Sequence, residues 1–154
     1  MKISIALTIS VLTLAAGVST ARAQSSTKDV TLIGSNRVAA AFAKGMPLLE
    51  TSEFKIHASR RDAPGVAEIH TRDTDIVHVL EGSATFVTGG TATEPKTIAP
   101  NEIRGRDIQG GESRRISKGD VIVVPNGVPH WFKQVDGPLL YYVVKVTSAS
   151  DGSK

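Results

Sequence analysis

The stretch GDVIVVPNGVPHWFKQ, Gly119–Gln134, decides the fold. Gly119-Asp120 reads as a turn into the apolar strand VIVV, and Pro125-Asn126-Gly127 reverses the chain. Pro129 restricts the backbone that enters His130, so the imidazole is aimed from a rigid scaffold. Because strand side chains alternate, placing His130 inward also places Phe132 and Gln134 inward and sends Trp131 to the opposite face.

Upstream, AEIHTRDTDIVHVLEGSATFVTGG runs from Ala67 to Gly90. Glu68 and His70 are two apart and share one face of a strand, and Asp75 enters from the next strand after the TRDT connection. His78, three residues past Asp75, points away from that interior. His57 alternates with its apolar neighbours; its face stays open, and it is read as structural. Around these segments lie short alternating runs broken by Gly and Pro, among them EFKIHASR, ESRRIS and GPLLYYVVKVT, a pattern that argues for an all-β sandwich or barrel. The segment from Thr91 to Gly111 lacks clear periodicity, includes Pro95 and Pro100, and reads as a long loop or a weak hairpin. Only GSNRVAAAFAKG looks helical: Ser35 as the cap, Val38 and Phe42 on one face, and Gly45 as the left-handed stop.

The two polar segments together resemble the paired motifs of the cupin superfamily. In the second motif Gly119, Pro125, Gly127 and His130 fall at the family's spacings, and Gln134 stands where the family has Asn. In the first, Glu68, His70, Asp75 and Gly82 fit every spacing, with Glu68 replacing the family's first histidine and Asp75 its glutamate. A rival register pairs His70 with Arg72. It shortens the following gap by one residue and puts an arginine, which has no lone pair to give, at a ligand position.

The resemblance implies an all-β cupin jelly roll over about Glu53 to Val146, with the short helix packed outside. It also implies one divalent metal, Mn, Fe, Zn or Ni, held by Glu68, His70, Asp75 and His130. A cation there would neutralise two carboxylates that otherwise repel. Val77, Val79 and Phe132 are expected to form an apolar wall for a substrate, with Gln134 orienting it. Related single-domain cupins often dimerise, and outward Ile76 and Leu80 suit such an interface.

The ends of the chain bear on location. Met1-Lys2, an apolar run from Ile3 to about Val18 and small residues at Ala21 and Ala23 have the order of a secretory signal peptide cut after Ala23. The expected layout is signal peptide 1–23, flexible leader and helix 24–52, cupin domain 53–148 and flexible tail 149–154, in a periplasmic or secreted protein with no membrane anchor. Cleavage removes Lys2 and Arg22 and no acid, so the charge falls from +3 to 16 − 15 = +1. No basic run with interleaved aromatics then suggests nucleic acid as a partner. The absence of cysteine excludes disulfides, thiolate metal sites and cysteine nucleophiles. No G-x-S-x-G elbow or H-E-x-x-H helix is present. Arg60, Arg61, Arg72, Arg104, Arg106, Arg114 and Arg115 offer candidates for a carboxylate or phosphate clamp, against the plainer reading of scattered surface arginines.

Three functional readings follow. The leading one is a metal-dependent enzyme of oxygenase, isomerase or lyase type acting on a small organic acid, sugar or phenolic compound. The second is a non-catalytic module that binds a small ligand. In the third no metal binds, and a Glu68–Arg72 pair stabilises the barrel.

Overall fold

A computed structural model describes residues 29–149. The signal peptide expected over 1–23, the start of the leader and the tail from 150 onward lie outside the described residues. Helix α1, Ser35–Lys44, ends at Gly45 in the left-handed conformation (φ 66°), as its sequence requires. Ser35, however, is inside the helix: Gly34 is the N-cap residue and no side chain caps it. Its carbonyl accepts from the amides of Arg37 and Val38 instead.

The strands are β1 (Met46–Glu50), β2 (Phe54–Arg61), β3 (Ala67–His70), β4 (Asp73–Thr88), β5 (Thr91–Ala92), β6 (Lys96–Ala99), β7 (Glu102–Gly105), β8 (Ile108–Gln109), β9 (Glu112–Ser117), β10 (Val121–Val124) and β11 (His130–Thr147). Strand β1 pairs with β2, so the sheet begins before residue 53, inside the stretch expected to be leader and helix. The Thr91–Gly111 segment is no bare loop. β6 and β7 form a hairpin that joins β3, while β5 pairs with β8. Asn101 holds a positive φ of 70° in the hairpin turn, a conformation Asn tolerates better than most residues.

The fold turns on β4 and β11, which pair antiparallel along nearly their full lengths. One side of β4 is lined by β10 and then β9, while β11 is flanked by β3 near His130 and by β2 beyond Leu139. The long strands bend together where Gly82 (φ 79°) meets Pro138. A Cβ at position 82 would lie 2.3 Å from the Pro138 carbonyl oxygen, so only glycine fits that corner. Inside the curled sheet Val77, Val79, Phe86, Phe132, Leu139 and Val143 form the main core. Outside it, α1 packs on β1 and β2 through Ala41, Leu48 and Ala58, and Phe42 meets Tyr142 edge-on at 4.9 Å. The architecture is the all-β jelly roll with one short external helix that the sequence implied. Among the described residues, no helix is long and apolar enough to cross a membrane.

Candidate metal centre

Strand pairing brings the site together. His130, the first residue of β11, stands directly opposite Glu68 on β3, and His70 lies two residues farther along β3. Directly opposed residues share a face, as do residues two apart, so all three side chains point into the barrel. Each offers one ligand atom, and these atoms lie within 4.8 Å of one another. The two histidines are buried and Glu68 is half-buried.

The imidazoles are prepared as lone-pair donors. His130 Nδ1 lies 3.1 Å from the Val128 carbonyl oxygen, an acceptor, so Nδ1 carries the proton and Nε2 is left free. Burial, reinforced by the positive charge of Lys145, lowers the His70 pKa to about 3, so His70 is neutral near pH 7. Its Nε2 is buried and has no hydrogen-bond partner among the described residues. A buried orphan nitrogen is costly unless something binds it. Two imidazole nitrogens and a carboxylate oxygen converging around that orphan fit a first-row divalent cation.

Asp75 stands beside this group. Its Oδ2 is 3.5 Å from His70 Nε2 and 3.8 Å from His130 Nε2. The same oxygen accepts from Lys145 Nζ at 2.6 Å, and Oδ1 is buried without a partner among the described residues. Asp75 and Lys145 are directly opposed on β4 and β11, which explains the contact. Glu68 likewise has its own cation: Arg61 Nη2 lies 3.4 Å from Oε1. Each carboxylate of the pair expected to repel therefore has a counter-charge from the protein. The proposed Glu68–Arg72 pair does not form; Arg72 donates to the Ser148 carbonyl at 2.6 Å on the surface.

The centre opens into a cavity of about 260 Å³. Val77 and Phe132 line it. Val79 does not: it is fully buried in the core and absent from the cavity wall. Gln134 is a second correction. An irregularity in the β11–β4 register between Phe132 and Gln134 breaks the alternation, leaving Gln134 exposed with its amide donating to Asp136 at 2.9 Å. His78 is exposed, on the opposite face from Asp75 and Val77. His57, whose face was open, lines the cavity with Nε2 3.0 Å from Glu50 Oε1.

Sequence reasoning missed Lys145 and Tyr141, and left Arg61 unsorted among seven arginines. Tyr141, Val143 and Lys145 alternate inward on β11, a phase opposite to that of His130 and Phe132. The same breaks in register hid them.

Fold and centre together define a small β-barrel protein with a candidate His/Glu metal site. The cupin family model matches residues 25–152, and the chain belongs to the cupin family. Its fold resembles that of a protein from Bacillus halodurans (12% identity, 82% of this chain and 88% of that one, TM-score 0.55). It also resembles a conserved Klebsiella pneumoniae protein with a double-stranded β-helix domain (15% identity, 78% and 92%, TM-score 0.51). The DMSP lyase DddQ from Ruegeria pomeroyi is a more distant neighbour (20% identity, 68% and 42%, TM-score 0.43). A comparison with curated proteins found no match.

Proposed function

We propose that this cupin binds one divalent transition metal through Glu68, His70 and His130 and acts as a metal-dependent enzyme on a small organic molecule. The observation that supports it is the convergence of those ligand atoms around the orphaned His70 Nε2 on the wall of a cavity. Three protein ligands leave coordination positions for a substrate, the arrangement of catalytic rather than structural sites. A bound ion would supply Lewis acidity. The chain's own contribution is to hold His130 in place through the Val128 carbonyl and to wall the reacting space with Val77 and Phe132.

Metal analysis of untagged protein tests this reading. About one equivalent of Mn, Fe, Ni or Zn should be present or taken up, His70→Ala and His130→Ala should each abolish retention, and His78→Ala should leave it intact. A protein that takes up none of these ions overturns it. Metal that binds with no exchangeable water favours the non-catalytic binding module instead.

The proposal includes export and self-association. Export is supported by the order of basic, apolar and small residues before Gln24. A homodimer is supported by an apolar outer face, where Val121 and Val123 are 61% and 58% exposed beside half-buried Ile76 and Val144. Intact mass and light scattering of the exported protein check both. The expected result is a chain beginning at Gln24 and a particle of two chains; an uncut chain or a monomer removes the corresponding claim.

A further inference from the structure

The charges around the cavity restrict what the loaded site accepts. Arg61, Arg104 and Lys145 line it, and so do Glu68, Asp75 and Glu102. With the imidazoles counted as neutral, three cations balance three anions. A divalent ion bound by Glu68, His70 and His130 therefore brings two uncompensated positive charges into a partly enclosed space, where charge is costly unless paired. Arg104 is occupied by Glu102 at 2.7 Å and Lys145 by Asp75 at 2.6 Å.

Arg61 is held differently. Its Nη2 contact to Glu68 is long at 3.4 Å, and Glu68 is itself one of the three candidate ligands. The guanidinium is fixed in place all the same. Nε donates to the Tyr141 hydroxyl at 3.1 Å, and the group lies over the Phe132 ring at 4.6 Å. Gly65 leaves room for it, since a Cβ there would sit 2.6 Å from Nη1. The Gly65 segment is anchored to β11: its amide N–H donates to the Phe132 carbonyl at 2.9 Å, and the Trp131 indole N–H donates to the Gly65 carbonyl at 2.8 Å. Burial raises the Tyr141 pKa, so its phenol stays protonated. Arg61 and Tyr141 thus present a planar fork and a hydroxyl on the cavity wall, next to the apolar side chains Val77, Phe86, Phe132 and Val143.

We infer that the substrate is a small carboxylic acid, bound as its anion between the Arg61–Tyr141 pair and the metal centre, with its carbon skeleton against that apolar wall. The inference rests on the metal reading above. A guanidinium matches the two oxygens of a carboxylate in one plane. The cavity lies just below the size range of drug-like sites, which suits a compact acid.

Calorimetry on the cobalt-loaded full-length protein tests it, with benzoate and succinate as probes and benzamide, succinamide and inorganic phosphate as controls. Both carboxylates should bind and perturb the cobalt absorption bands, and the amides should bind at least about tenfold more weakly. Arg61→Met and Tyr141→Phe should each lose about tenfold in carboxylate affinity while keeping cobalt stoichiometry. Amides binding as tightly as the acids, phosphate binding more tightly than either acid, or carboxylate affinity unchanged in folded Arg61→Met and Tyr141→Phe would overturn the inference and leave the metal reading standing. Failure to take up cobalt, or any of the other metals, overturns both. The comparison of acids with amides uses the unmodified protein, so the test survives a variant that does not fold.

Discussion

Lys145 and Asp75 are opposed across β11 and β4 and joined at 2.6 Å, with side chains only 14% and 7% exposed. A buried pair of this kind adds little relative to an apolar substitute, but removing one partner leaves a charge stranded. In Lys145→Met the Asp75 carboxylate keeps His70 and His130 as neighbours at 3.5 and 3.8 Å and loses its cation. The metal-free variant should therefore be less stable by about 3–5 kcal/mol, read from urea unfolding. Added metal should then stabilise the variant more than the wild type, because the freed carboxylate becomes a fourth ligand candidate. A variant as stable as the wild type without metal would show that Asp75 does not need Lys145. The same pair accounts for the difference between the expected four-ligand nest and the three-ligand group: Asp75 is at the site, but its oxygen is already bonded to an ammonium.

At the scale of elements, what was legible in the sequence is what local chemistry dictates. Gly119, Pro125, Gly127 and Pro129 determine the turns before His130, and the Glu68-x-His70 spacing places both side chains on one strand face; neither depends on distant contacts. The helix stop at Gly45 was readable for the same reason, whereas the Ser35 cap was not: the cap position falls one residue earlier, at Gly34, which has no side chain to cap with. Strand phase was lost wherever register broke. β11 shifts against β4 between Phe132 and Gln134 and again near Leu140, so counting by twos from His130 gave the wrong face for Gln134 and hid Tyr141 and Lys145. The β6–β7 hairpin was legible only as an alternative to a loop: KTIA is mostly exposed and EIRG mixes half-buried, exposed and buried positions, so neither alternates cleanly. Their order comes from backbone pairing with β3, which a hydropathy pattern does not record.

For the whole molecule, the polar groups gathered around the cavity couple folding to pH. In the metal-free protein the His70 pKa is about 3 when folded and near 6.5 when the chain is open, chiefly because burial disfavours its charged form. Between those values the unfolded chain binds the extra proton, so stability is complete above pH 6.5 and declines as pH falls toward 3. Asp73 acts in the same direction at lower pH. Burial would raise its carboxyl, but hydrogen bonds from Lys55 and Thr147 outweigh that and hold it below 3.8, so its contribution is present above 3.8 and lost in stronger acid. On the surface, Arg60 and Arg115 give the leading contributions that lower Asp62 and Asp136, and these exposed pairs are salt-sensitive, whereas half-buried Asp107 is lowered first by a hydrogen bond from the neutral Thr93 hydroxyl. The His70 contribution is buried and should survive added salt. Urea midpoints between pH 7 and 4, taken as an approximate range at low and high salt, should show a decline no steeper than about 1.4 kcal/mol per pH unit from this single proton. His70→Asn should flatten that decline, and a variant that keeps the full slope would move the effect to another group. Saturating metal should steepen it, because each ion needs His70 and His130 unprotonated and protons then compete with the metal as well as with folding.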